Sequence, residues 1–247
     1  FVHAAAIAGA PNIGAAIGMT GNFLERAQTV CNAGANVLCV DVAHGHHAIM
    51  RRCLYELKDF FGSSVHIIAG NVATLEAFDD LAKWGADSIR VGIGGGSICS
   101  TRMVTGHGMP TFQSILDVSK SASNAKIIAD GGIKTTGDMV KAFAAGADFV
   151  MMGSMLAGTE ETPGEVLSTD SGEKYKVYRG MASSDAQRNW KGQSSTPEGI
   201  STTVPYRGAV RDILKDVRGG LCSGLSYTGT TTISEFQSKA EFLQQTN

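Results

Sequence analysis

The chain has 247 residues, 43% of them hydrophobic, with 21 Lys and Arg against 23 Asp and Glu and a formal net charge of -2. That length can bury a full core and matches one α/β barrel as a single domain. A near-neutral charge without a long Lys or Arg run points away from duplex nucleic acid or an anionic membrane as the main partner, and leaves a small polar substrate. No apolar stretch approaches 18 residues without Gly or a charge, so no membrane-spanning helix is expected. Cys31, Cys39, Cys53, Cys99 and Cys222 are odd in number, irregular in spacing and free of any C-x-x-C pair. This argues against a disulfide framework and against a zinc site, and implies a cytoplasmic protein. The first residue is Phe1 rather than Met, so a fragment of a longer protein is expected.

Short apolar runs rich in β-branched residues recur along the chain, each followed by an amphipathic stretch of helix length, the pattern of repeated βα units about a parallel sheet. Strands are predicted over 13–18, 37–43, 66–70, 88–93, 125–130 and 149–153, with helices over 22–33, 48–61, 75–84, 111–121 and 136–145. Gly34, Gly85 and Gly146 follow three of these helices as stop residues. The phrases AGANVLCVDVA, WGADSIRVGI and AGADFVMMGS repeat a helix end, a Gly-Ala turn and a buried strand in one order. Six units do not close an eight-stranded barrel. The expected fold is therefore an α/β (β/α)8 TIM barrel whose first two βα units lie upstream of Phe1, with an open sheet as the alternative. Residues 1–247 then form a single, partial catalytic barrel domain. From Gly158 to Thr203 the chain turns polar and rich in Gly and Ser, which predicts an irregular lid or a disordered segment, with an active-site flap over about 175–204. A last helix is predicted over 210–221.

In such a barrel the site lies at the carboxyl ends of the strands. Those ends are polar and glycine-rich here: Asp41 followed by Ala43-His44-Gly45-His46, then Gly70-Asn71, then Gly92 to Thr101, then Asp130-Gly131-Gly132, then Gly153-Ser154. Gly132 and Gly153-Ser154 stand on adjacent last strands, where backbone N–H groups can approach a phosphate closely. Either Gly pair alone is as readily turn chemistry, but the two together point to a phosphorylated substrate. A lone cysteine is more often a small buried hydrophobe than a nucleophile. Cys99 departs from that rule because Gly94, Gly95, Gly96, Ser97 and Thr101 surround it, a setting that a core position does not need. Cys31, Cys39, Cys53 and Cys222 sit in helix or strand patterns and read as packing residues. His44 and His46 lack an obvious third ligand, so a supporting role is favoured over zinc. His107 is expected on a loop.

These motifs resemble the inosine monophosphate dehydrogenase and guanosine monophosphate reductase family, whose loop pattern G-x-G-x-G-S-x-C-x-T is met by Gly92 through Thr101. The likeness runs along nearly the whole chain, through VDVAHGH, IAGNV, IADGGIKTTGD, VMMGSMLAGTEETPGE, YRGMASSDAQ, EGISTTVPYRG and GGLCSGLSYTG. The resemblance implies that Cys99 is the nucleophile that adds to carbon 2 of the purine, that hydride passes to NAD, and that the covalent thioimidate is hydrolysed to xanthosine monophosphate. It places Ser97, Asp130, Gly132, Gly153, Ser154, Tyr178, Gly180, Met181 and Glu198 around the nucleotide, with Asp130 on the ribose hydroxyls. Asp41, Asn71 and Gly92 map onto dinucleotide contacts. The backbone carbonyls of Gly94, Gly96 and Cys99 map onto a potassium site. A homotetramer is implied as well.

Reductases of the family are expected to pair the loop Thr with a Glu in a G-M-S-S-E run. The aligned stretch here is Gly180-Met181-Ala182-Ser183-Ser184-Asp185, with Ser184 at that Glu position, and this favours the dehydrogenase. Dehydrogenases carry an Arg-Tyr pair on a mobile flap. The segment from Gln187 to Gln193 is short, and Arg188 is its nearest water-activating candidate, with Thr101 as the alternative route. A reductase of guanosine monophosphate that uses NADPH, and a nucleotide-binding relative without turnover, stand as the competing readings.

Overall fold

The structure, a computed structural model, describes residues 1–194 and 196–245, so position 195 of the expected flap and the last two positions of the expected domain lie outside it. In chain order the elements are α1 (Val2–Ile7), β1 (Gly14–Ile17), α2 (Phe23–Asn32), β2 (Val37–Asp41), α3 (Ala48–Phe61), β3 (His66–Val72), α4 (Leu75–Lys83) and β4 (Ser88–Val91). There follow α5 (Thr101–Thr105), α6 (Thr111–Val118), β5 (Lys126–Asp130), α7 (Thr136–Ala144), β6 (Phe149–Met151), β7 (Leu167–Ser168) and β8 (Lys174–Arg179). The last are α8 (Ser184–Lys191), β9 (Ser201–Pro205), α9 (Val210–Tyr227) and α10 (Ile233–Lys239).

Strands β1 to β6 form one sheet in sequence order, every neighbouring pair parallel. This is a partial (β/α)8 barrel, with β1 and β6 as its two open edges. Parallel pairing demands a crossover helix between strands, and the right-handed βαβ rule carries each helix to the same side. The strand faces turned to the helices hold the core: Leu38, Val40, Ile67, Ala69, Ile89 and Val91 are fully buried. They meet Met50, Leu54 and Leu57 of α3 and Phe78 and Leu81 of α4. Each large side chain so buried stabilises the fold by about 1.5–3 kcal/mol. Because side chains alternate across a strand, the opposite face carries Cys39, Asp41, Arg90 and Asp130.

Helix starts follow local chemistry. Thr74 caps α4 by accepting from the Ala77 N–H, and Thr135 with Asp138 forms a reciprocal capping box on α7. All six predicted strands and all six predicted helices form, with shifts at their ends.

The stretch from Gly158 to Thr203 is not irregular. Strands β7, β8 and β9 build a small antiparallel sheet there, and α8 lies between β8 and β9. Lysines at alternate positions of KYKVYR hide the period-two pattern, yet one of them, Lys176, is buried. Helix α9 runs on to Tyr227, past its expected end at 221. Its Gly220 and Gly224 let it press on α7, where a Cβ would lie 2.3 Å from Thr136 and 2.6 Å from Val140. Cys222, expected to pack, is exposed on this helix. Helices α1, α5 and α10 are short and carry no apolar period long enough to read. No helix among the described residues is long and apolar enough to cross a membrane.

Candidate active site

The cysteine loop leaves β4 at Gly92, whose φ of +144° suits glycine and where a Cβ would stand 1.9 Å from the Asp130 carbonyl oxygen. Cys99 is exposed, and its N–H closes a turn on the Gly96 carbonyl at 3.1 Å. The loop is stitched to the segment ahead of β9: Ser100 N–H donates to the Glu198 carbonyl at 2.9 Å, and Ile200 N–H to that of Ile98 at 3.0 Å. This pairing fixes the side chains that follow. The Cys99 thiol donates to Thr101 Oγ1 at 3.2 Å, and the Thr101 hydroxyl donates to Glu198 Oε2 at 2.8 Å. A thiol, a hydroxyl and a carboxylate thus form one directed chain, able to draw a proton away from the sulfur's surroundings.

The partner of Thr101 is Glu198, and this overturns the expectation drawn from the G-M-S-S-E run. Ser184 breaks no dyad; it opens α8, where Ser183 caps the helix by accepting from the Ala186 N–H. Glu198, expected beside the nucleotide, has its carboxylate on Thr101. Arg188 is exposed on α8, with no described contact to Cys99 or Thr101.

At the adjoining strand ends Arg90 joins two predicted residues. Its Nη1 donates to Asp41 Oδ1 at 2.6 Å, while Nε and Nη2 donate to Asp130 Oδ2 at 3.1 and 2.8 Å. Asn71 Nδ2 donates to the same Asp130 oxygen and to the Gly92 carbonyl, both at 2.8 Å. Asn71 Oδ1 is buried without a partner among the described residues, an acceptor available to a ligand donor. Burial alone depresses the Arg90 basicity, but the Asp130 and Asp41 carboxylates outweigh it and hold the guanidinium charged. Burial pushes the neighbouring Cys39 thiol up, only partly opposed by Arg90, so it stays neutral. Arg90 was missed because it sits inside an apolar strand run. Its charge in a run bounded by Gly92 was the available signal.

The proposed phosphate residues gather from separate elements. Gly131 and Gly132 have φ of +98° and +82°, and Gly131 packs against Gly95 and Gly96 beneath the cysteine loop. A Cβ on Gly153 would lie 2.8 Å from the Tyr178 hydroxyl, so β8 bears on the end of β6. Ser154 is half-buried next to it and Gly180 lies against Ile98 and Gly199, whereas Ser97 and Met181 are exposed.

A cavity of about 660 Å³ opens on the Thr101–Glu198 pair, lined also by Ala73, Thr74 and Ile93 and by His44, His46 and His107. Its size fits part of a dinucleotide. His46 is held by Asp80 at 2.9 Å and stacks on Trp84. No cluster of side-chain metal ligands occurs among the described residues. For a hard monovalent cation the loop offers carbonyls. Those of Gly94 and Cys99 accept no backbone hydrogen bond among the described residues, and that of Gly96 accepts one, from Cys99. Their lone pairs suit such an ion.

Residues 5–247 match the family model described as "IMP dehydrogenase / GMP reductase domain". The chain is 46% identical over 250 residues to an inosine-5'-monophosphate dehydrogenase of Nitrosopumilus maritimus, covering 96% of this chain and 52% of that protein. It is also 46% identical over 245 residues to a GMP reductase of Leishmania major, covering 94% and 50%. Among solved structures it superposes with a TM-score of 0.91 and 43% identity on a cysteine-to-alanine GMP reductase of Trypanosoma brucei in complex with guanosine 5'-monophosphate, covering 95% of this chain and 50% of that one. The chain spans about half the length of these relatives. The glycine-bounded cysteine loop, the carboxyl-end site and these matches agree: the chain belongs to the IMP dehydrogenase / GMP reductase family.

Proposed function

We propose that the whole chain is one catalytic domain, with a flap over about 175–204, that oxidises inosine monophosphate to xanthosine monophosphate through a covalent bond to Cys99. The observation that carries this reading is the directed chain from the Cys99 thiol through Thr101 to Glu198. The Cys99 S–H bond breaks as the sulfur adds to carbon 2 of the purine and its proton goes to N3; carbon 2 then gives up a hydride and N3 its proton, which leaves a thioimidate. NAD, when bound, supplies the hydride acceptor. Water then adds to the thioimidate carbon, one water proton passing to Thr101 as the Thr101 proton passes to Glu198, from which it is returned to purine N3. Carbon 2 becomes a carbonyl as the carbon–sulfur bond breaks, and the second water proton goes to the sulfur, which releases xanthosine monophosphate and the thiol. Covalent catalysis divides one difficult substitution into two easier steps.

Asp130, oriented by Arg90 and Asn71, binds the ribose diol. Gly132, Gly153 and Ser154 take the phosphate, with Ser97, Tyr178, Gly180 and Met181 around the nucleotide. Asp41, Asn71 and Gly92 border the dinucleotide, which enters the cavity facing Thr101. Potassium on the carbonyls of Gly94, Gly96 and Cys99 would order the cysteine loop. The assembly is a homotetramer.

A second reading is reduction of guanosine monophosphate with NADPH and release of ammonia. The Thr101–Glu198 pair serves it equally, and the observation on its side is that Arg188, the candidate water-activating cation, is exposed on α8 with no described contact to Cys99 or Thr101. Assay of the purified protein with each nucleotide and cofactor pair separates the two. NADH formation from inosine monophosphate supports the dehydrogenase. NADPH consumption with guanosine monophosphate, and no NADH formation, overturns it in favour of the reductase.

A further inference from the structure

Lys176 is 1% exposed, and its ammonium group has no carboxylate partner among the described residues. A buried lysine is rare without compensation, because removing its charge from water is costly. Here the compensation comes from backbone: Nζ donates to the Thr159 carbonyl at 3.0 Å and to the Thr162 carbonyl at 2.5 Å. Both carbonyls belong to the turn that follows Gly153-Ser154. That turn is drawn tight by its own hydroxyls, Thr159 Oγ1 donating to the Leu156 carbonyl and Thr162 Oγ1 to those of Ala157 and Thr159.

Lys176 and Tyr178 are two residues apart on β8 and therefore share a face. The Tyr178 hydroxyl bears on Gly153 at the start of the turn and Lys176 pins its end. One strand face thus holds both ends of the segment that presents Gly153 and Ser154. The segment that follows β9 locks it further through an isolated parallel bridge, with Arg207 N–H donating to the Gly158 carbonyl and Glu160 N–H to that of Gly208, both at 2.8 Å.

We propose that Lys176 is a positioning residue for the phosphate subsite, acting through the Thr159 and Thr162 carbonyls to hold the Gly153-Ser154 backbone in its anion-binding conformation. The proposal rests on the reading of Gly132, Gly153 and Ser154 as the phosphate residues. It does not depend on which direction the redox reaction runs.

The test compares binding of a purine mononucleotide with that of the corresponding nucleoside, which lacks the phosphate, by calorimetry on the full chain. The unaltered chain should prefer the nucleotide strongly; equal binding of the two would overturn the phosphate reading itself. In Lys176→Met nucleotide affinity should fall about tenfold or more, the scale of a lost charged hydrogen-bond pair. Nucleoside affinity should hold, while KM for the nucleotide rises and kcat changes little. Lys176→Arg, which keeps the charge and N–H donors, should restore part of the loss. Equal weakening of nucleotide and nucleoside, or no weakening of either, would overturn the role of Lys176. Should Lys176→Met not melt cooperatively, Lys176→Gln, uncharged and one atom shorter, should weaken the nucleotide and leave the nucleoside unchanged, and equal weakening of both or of neither would overturn the role in the same way.

Discussion

Thr101 and Glu198 stand 97 residues apart in sequence, yet their hydroxyl and carboxylate meet at 2.8 Å, one step from the Cys99 sulfur. The contact exists because two backbone hydrogen bonds clip the cysteine loop to the strand entering β9. It gives the surroundings of the Cys99 sulfur a carboxylate from a distant segment. The exposed face of the pair opens into the cavity, so a reacting group there can reach it.

Glu198→Gln keeps an acceptor for the Thr101 hydroxyl but cannot take a proton. Steady-state kinetics should show kcat reduced by roughly 10²–10⁴-fold, the range of general acid–base catalysis, with KM for the nucleotide nearly unchanged. A variant with full kcat would remove Glu198 from the relay.

Cys99→Ala should bind the mononucleotide with near-normal affinity and lose turnover by on the order of 10⁴-fold or more, as for removal of a catalytic nucleophile. Calorimetry and a cofactor absorbance assay measure the two quantities separately. Turnover that survives the change would exclude the covalent route.

Arg90→Leu leaves Asp41 and Asp130 facing each other without their shared cation. Breaking a buried pair costs about 3–5 kcal/mol, and because Asp41 is 42% exposed about 2–3 kcal/mol is the expected loss after screening. Urea denaturation should report it. Nucleotide binding should weaken as well, since Asp130 loses the guanidinium that orients it. Unchanged stability and affinity would show that the bridge contributes nothing.

Burial pushes the Cys53 thiol up to about 12 from an ordinary value of 9.0. The unfolded chain loses that proton near the ordinary thiol value while the folded chain retains it. The unfolded state therefore binds fewer protons through this window, and stability falls as pH rises from about 9 toward 12. Below that window the contribution is fully present. Denaturation midpoints measured across the range should decline less steeply in Cys53→Ala than in the parent. Parallel slopes would refute the assignment. Thiol labelling at neutral pH adds a second measurement: the exposed Cys99 and Cys222 should react quickly and Cys53 only on unfolding.

The six strands and their helices were legible because apolar β-branched runs and amphipathic stretches alternate, and each is a local property of a dozen or so residues. The cysteine loop was legible for the same reason, since glycines around a thiol are adjacent in sequence. The small sheet from β7 to β9 was not legible. Its inward residues are Lys176 and Tyr178 rather than aliphatic ones, so polarity masked a strand whose burial depends on a turn elsewhere in the chain. Arg90 was hidden in the opposite way, a charge inside an apolar run whose two carboxylate partners come from other strands. The last turns of α9, beyond 221, hold Gly224, which looks like a breaker until α7 is packed against it.

The sequence by itself determined the βα repeat, the family and the ends of the strands at which chemistry gathers, because periodicity and contiguous motifs are written along the chain. Only the tertiary structure decided that Thr101 pairs with Glu198, that Arg90 ties Asp41 to Asp130, and that Lys176 is buried on carbonyls. A hydrogen bond of 2.8 Å between groups 97 residues apart is set by register and loop closure. Neither leaves a mark in the local pattern of residues.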